Sequence, residues 1–378
     1  MVRDYKLISA DSHINEPPDL WTARLPAKFK DRAPRMERFE KGDAWVMEGA
    51  LDPLNFGNNA CAGLPAEQRS TWMKWEDVRK GGYVPDVRIE EQDQDGVDAE
   101  ILYPTPRVSN QLFWYVEDPE FHLACVRAYN DWLSEYCSYD TERLWGVALI
   151  PNIGVDTAVA EFERALSLPG MRGAMIAQYP HGGEVISPED DALWGAMAAA
   201  GVPLSIHVAF AMDAQRDTSK MKLTGSLRFF DAPIRATQFI ESGVFDRFPD
   251  VHLILVEVDS SWLPYMWEQM DDRFKRTAAA NRPNIKRMPS EYMNHNCFYT
   301  TQPMETTHPK ALENTFEMIK AETQLMFASD WPHFDFDLPQ EVCDLPFLSE
   351  QAKRNILGLN AARIFNLDPT PVKKLIVT

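Results

Sequence analysis

The sequence predicts a single (β/α)8 TIM barrel. Eight short apolar runs recur along the chain, helical patterns fill most of the gaps between them, and polar residues gather at the C-terminal ends of several runs. The runs are Leu7–Ala10, Ala99–Tyr103, Trp145–Ile150, Gly173–Ala177, Leu204–Val208, Leu253–Val258, Cys297–Thr300 and Leu325–Ala328. Near-continuous apolar strands are buried on both faces, and their alternation with amphipathic helices argues for a parallel sheet covered on its outside. Eight repeats favour closure into a barrel over an open, doubly wound sheet.

The intervening segments carry helix signals. Helices are expected over Pro119–Tyr139, Val155–Ser167, Pro188–Ala200, Arg228–Ser242, Trp262–Arg273 and Lys310–Ile319. Asp118 and Ser187 stand as N-caps before Pro119 and Pro188, and Gly201 closes a helix. The apolar stretch from Trp194 to Met212 approaches the length of a membrane span. Gly201, Pro203, Ser205 and His207 interrupt it, so it reads as the end of a helix followed by a buried strand.

The whole chain, residues 1–378, reads as one unit, since α/β barrels commonly exceed 200 residues as a single domain. Residues 17–85 form a long first connection, expected to be an insertion folding over the barrel mouth with a short hairpin around Asp43–Glu48. A second long loop is expected over Ala209–Leu227, and residues 366–378 read as a C-terminal arm.

Composition narrows the partners. With 57 acidic and 38 basic residues the net charge is −19, a surface that repels phosphate backbones and anionic lipid. Nucleic acid and membrane are therefore not expected, and a small molecule is. Five cysteines, an odd count with no C-x-x-C pair, point to a reducing compartment and away from a disulfide framework. Together with an N-terminus that lacks a signal-peptide core, this makes the expected location cytoplasmic.

Polar side chains at strand ends mark the mouth of a barrel. The first strand ends in Asp11-Ser-His13, and alternation turns both side chains to one side, so that they can share an ion. The fifth ends at His207, the sixth in Glu257-Val-Asp259, and the eighth in Ser329-Asp330-Trp-Pro-His333. Arg107, just past the second strand, is a candidate clamp for a substrate carboxylate. His181, after the fourth strand, is a candidate substrate contact; Trp331, with Trp21, Phe113, Trp114 and Trp262, is a candidate wall for a ring-shaped substrate. Each has a plainer reading. Asp330 suits a helix cap, Glu257 a paired core group, His333 and Glu16 ordinary loop positions, and Arg107 an exposed surface.

A longer series of motifs carries a family resemblance. Gly96-Val-Asp-Ala-Glu-Ile-Leu-Tyr-Pro104, Tyr129-Asn-Asp-Trp-Leu133, Glu142-Arg-Leu-Trp-Gly-Val-Ala-Leu-Ile-Pro151, Ile206-His207, Ser329-Asp-Trp-Pro332 and Asn355-Ile-Leu-Gly-Leu-Asn-Ala-Ala-Arg-Ile-Phe365 follow in order over most of the chain. The sequence resembles the amidohydrolase superfamily, in its branch containing aminocarboxymuconate-semialdehyde decarboxylase and the aromatic-acid decarboxylases.

The resemblance implies Asp11, His13, His207 and Asp330 as ligands of one divalent ion, zinc or manganese, with a position open for water or substrate. Two carboxylates and two imidazoles suit manganese as well as zinc. One departure stands out: the branch's proton-transferring histidine on the sixth strand is Glu257 here, within an otherwise preserved pattern. Glu257 becomes a proton carrier or a ligand, His333 a substitute for the missing histidine, and Asp330 a catalytic partner as well as a ligand. Glu16 is a candidate to orient a ligand or contact substrate. Non-oxidative decarboxylation of a small aromatic or unsaturated acid is the implied activity; hydrolysis or hydration by a metal-activated water is the alternative. Relatives of this kind imply a homodimer or larger homo-oligomer.

Overall fold

The computed structural model describes residues 4–208, 231–304 and 306–372. Eight parallel strands form the central sheet: β1 (Ile8–His13), β5 (Ala99–Tyr103), β6 (Leu144–Leu149), β7 (Met171–Met175), β8 (Leu204–His207), β9 (Leu253–Val256), β10 (Cys297–Thr300) and β11 (Leu325–Met326). They pair in chain order, as a right-handed succession of strand–helix units requires. Backbone bonds from Ala10 N to Phe327 O (2.7 Å) and from Asp330 N to Asp11 O (2.9 Å) join the last strand to the first and close the ring. All eight predicted runs are strands or strand ends; β7 begins two residues earlier than expected, at Met171.

Helix signals hold locally as well. The Asp118 side chain accepts from Glu120 N and Phe121 N, Ser187 and Asp190 form a capping box, and Gly201 sits at φ 62°, a left-handed turn that glycine adopts without a Cβ penalty. Helices at Pro85–Asp95 and Pro106–Tyr115 were not anticipated, because their apolar positions are sparse or blend into the preceding strand signal. The C-terminal helical segment from Glu350 to Ile364 packs against the start of β1 so closely that a Cβ on Gly358 would lie 1.9 Å from Lys6 O. Among the described residues no helix is long and apolar enough to cross a membrane.

Residues of the first connection build a small antiparallel sheet, β2 (Arg35–Phe39), β3 (Gly42–Val46) and β4 (Leu54–Asn55). This layer meets the segment after β11 through Ala62 N to Pro332 O and Phe334 N to Asn58 O, both 2.9 Å. The expected loop at Ala209–Leu227 lies outside the described residues, as does the arm beyond residue 372.

Behind β1, Arg88 bonds Glu100 at 2.5 and 3.0 Å, donates to His13 O at 3.0 Å and lies 3.8 Å over the Trp331 ring. Gln92 adds a bond to Glu100 at 2.6 Å. Arg88 and Glu100 are both buried, so removing one charge strands the other. Arg88→Met is expected to lower stability by about 3 kcal/mol, measured by urea unfolding; an unchanged midpoint would show that the pair contributes nothing.

Candidate metal centre and active site

Strand alternation and two kinks bring the polar strand ends together. Asp11 and His13 leave β1 on the same side, two residues apart, with Asp11 Oδ1 3.4 Å from His13 Nε2. His207, the last residue of β8, directs Nε2 to 3.2 Å from His13 Nε2 and 3.6 Å from Asp11 Oδ1. Immediately past β9, Glu257 has φ 54°; past β11, Asp330 has φ 55°. Non-glycine residues seldom take this left-handed conformation, and such strain persists where the surroundings hold it, often at functional sites. Glu257 is fastened by its N–H to Thr300 Oγ1 at 2.9 Å, and its Oε2 lies 3.6 Å from His207 Nε2.

Two overlapping sets result. Asp11, His13, His207 and Glu257 offer ligand atoms all within 4.8 Å of one another, and so do His13, Glu257, Asp330 and His333. The sequence groups Asp330 with Asp11, His13 and His207; in the structure Glu257 completes one set around those three, and Asp330 falls in the other. Asp330 is nevertheless adjacent, with Oδ1 3.2 Å from His13 Nε2.

The donor set suits a cation. Asp11 is fully buried, and among the described residues neither carboxylate oxygen has a hydrogen-bond partner, an arrangement that is costly without a positive charge nearby. His13 Nδ1 faces Pro104 O at 2.7 Å and His207 Nδ1 faces Val208 O at 2.8 Å. Each carbonyl can only accept, so the proton resides on Nδ1 and the Nε2 lone pair turns inward. Burial, with the neighbouring imidazoles of His333 and His207, holds His13 well below the usual histidine range, against the opposing pull of Asp11. For His207 burial acts in the same direction, but the Asp11 and Glu257 carboxylates outweigh it and raise its pKa.

His333 stacks on His13 with ring centroids 4.1 Å apart and an interplanar angle of 17°. Its Nδ1 is 2.8 Å from Asp330 Oδ1, and its Nε2 meets Asn59 Nδ2 at 3.0 Å. A cleft of about 210 Å³ opens over this face, lined in part by Asn55, Asn59, Thr71, Arg107, Glu257 and His333. Arg107 is exposed and held by Asn55, through the backbone carbonyl at 2.9 Å and the side-chain amide oxygen. The cleft residues from the first connection have one sequence signal, the amide-rich run Asn55-Phe-Gly-Asn-Asn59.

The remaining candidates lie elsewhere. Trp331 is buried under Arg88, and Trp21 is packed against Trp45, so neither walls the cleft. Among the described residues, Phe334 is the aromatic side chain that lines it. His181 is paired with Asp190 at 2.9 Å, part of the cap before the next helix, and does not line the cleft. Glu16 is buried below the mouth, where its Oε1 accepts from Thr105 N at 2.9 Å; burial pushes its carboxyl up to about 7.

A closed parallel barrel with buried histidines and carboxylates converging at the C-terminal ends of its strands defines a metal-assisted enzyme of the kind that acts on small molecules. The amidohydrolase family profile matches residues 10–367, and the chain belongs to that family. A gamma-resorcylate decarboxylase from a Rhizobium species is 25% identical over 295 residues, covering 75% of this chain and 88% of the relative. An amidohydrolase from Mycobacterium avium subsp. paratuberculosis superposes with a TM-score of 0.73 at 20% identity, over 96% of this chain and 100% of the other. A 5-carboxyvanillate decarboxylase from Novosphingobium aromaticivorans, solved with manganese and 4-hydroxy-3-methoxy-5-nitrobenzoic acid, superposes at 0.68 with 17% identity and 96% coverage of each chain.

Proposed function

We propose that the protein is a metal-dependent, non-oxidative decarboxylase of a small aromatic or unsaturated carboxylic acid. The observation that carries this reading is the buried set Asp11, His13, His207 and Glu257 beneath a cleft that also holds a cation, Arg107, and a proton carrier, His333. The decarboxylase relative, similar along three quarters of the chain, supports the same chemistry.

In this reading Asp11, His13, His207 and Glu257 hold one divalent ion beside Asp330. Bound there, manganese or zinc would polarise an oxygen of the substrate and stabilise negative charge. The mixed carboxylate–imidazole set accommodates either metal, and the manganese in a structural neighbour favours the first. Arg107 pairs with the substrate carboxylate, an attraction stronger than its present bonds to the neutral Asn55. His333, with Asp330 at Nδ1, supplies a proton to the carbon bearing that carboxylate. The carbon–carbon bond then breaks, its electron pair returns to the substrate framework, and carbon dioxide leaves.

Hydrolysis is the second reading, and the glutamate at position 257 favours it, since a carboxylate there can serve as base toward an activated water. The two are separated by product. Manganese-loaded protein offered hydroxylated benzoic acids is expected to release carbon dioxide, followed by headspace mass spectrometry. Turnover confined to esters, lactones or amides would transfer the assignment to hydrolysis. We further assign the protein to the cytoplasm, supported by its five free cysteines, and to a homodimer or larger homo-oligomer, which light scattering tests.

A further inference from the structure

One peptide group ties a buried carboxylate to the metal-facing histidine. The carbonyl of Pro104 is the partner of His13 Nδ1 at 2.7 Å, and the N–H on the other side of the same amide, Thr105 N, donates to Glu16 Oε1 at 2.9 Å. The Thr105 hydroxyl donates to Ile14 O at 3.1 Å, and Ile14 N to Tyr103 O at the same distance, so both segments are pinned on either side of that amide. Glu16, Thr105 and His13 are all buried, and bulk water does not compete for these bonds.

We propose that Glu16 is a positioning residue for His13, acting through the Pro104–Thr105 amide as a carboxylate–peptide–imidazole relay. Negative charge at the N–H end of an amide increases electron density on its carbonyl oxygen, because the two ends share one conjugated system. A stronger acceptor at Pro104 O fixes the proton on His13 Nδ1 and makes Nε2 a better donor to a cation. Carboxylates that contact a ligating imidazole directly do the same; here a peptide is interposed. The relay accounts for a buried acid that, among the described residues, joins neither the cleft lining nor the ligand sets, and it rests on the reading that His13 holds a metal ion.

Two measurements on the full-length protein test it. Above about pH 7, where the Glu16 carboxyl is ionised, Glu16→Gln keeps the shape and an accepting oxygen but removes the charge; Glu16→Ala removes both. In metal-stripped protein titrated with Mn²⁺ alone and followed by electron paramagnetic resonance, affinity is expected to fall about 10- to 100-fold in Glu16→Ala, with Glu16→Gln between it and the parent. In apo-protein labelled with ¹⁵N-histidine, the His13 Nδ1–H proton resonance, assigned by its loss in His13→Gln, is expected to move upfield in Glu16→Gln as its bond weakens. A purely structural role would leave that resonance in place in a Gln variant of unchanged melting temperature. Parental Mn²⁺ affinity together with an unmoved resonance in Glu16→Gln overturns the relay. Protein that takes up no Mn²⁺, Zn²⁺ or Co²⁺ at all overturns the metal reading instead; the resonance then decides the relay alone, supporting it by moving and refuting it by staying.

Discussion

His207→Ala protein is expected to lose its divalent ion and its turnover together. His207 is fully buried, its Nδ1 is committed to Val208 O, and its Nε2 lies within 3.6 Å of Asp11, His13 and Glu257. Removing it deletes a ligand and leaves two buried carboxylates close together without that partner, a costly arrangement. The affinity loss should exceed the roughly 10- to 100-fold associated with groups one step behind a ligand. Elemental analysis after dialysis checks it, and full metal content in the variant would refute the ligand assignment. Because the surrounding carboxylates raise its pKa, protons compete for the same nitrogen. Metal affinity is therefore expected to fall as pH drops through that raised value, with a proton released on binding at lower pH.

Separating proton donor from ligand gives the second large effect. His333→Asn is expected to retain metal while reducing kcat by about 10²- to 10⁴-fold, the usual contribution of a positioned acid or base. Glu257→Gln should reduce kcat as well, but with loss of metal, because its carboxylate belongs to both ligand sets. Isothermal titration with Mn²⁺ beside steady-state rates distinguishes the variants. Retained metal with abolished turnover in Glu257→Gln would make that carboxylate the proton carrier, and unimpaired turnover in His333→Asn would remove His333 from the reaction.

Much of the barrel was readable because strand burial writes itself into composition. A parallel strand covered on both faces needs an unbroken apolar run, as at Leu253–Val256, and a helix start needs a side-chain acceptor, as at Asp118. The ends of those runs located Asp11, His13, His207, Glu257, Asp330 and His333 for the same reason: polarity appears where a buried strand emerges at the mouth. Trp331 and His181 mark the limit of that rule. Proximity to a strand end does not set direction: Trp331 turns back beneath Arg88, and His181 is occupied by Asp190.

Element order and the residue types at the strand ends are local or periodic properties, and these the chain announced through its linear pattern. Which carboxylate joins Asp11, His13 and His207, how Asn59 reaches His333 across 274 positions, and how Glu16 meets the Pro104–Thr105 amide depend on contacts distant in sequence. Such contacts arise from backbone turns, like the left-handed ones at Glu257 and Asp330, and from bonds between the first connection and the segment after β11. Neither leaves a periodic signature, because a hydrogen bond between remote segments constrains distance and angle in space without imposing spacing along the chain.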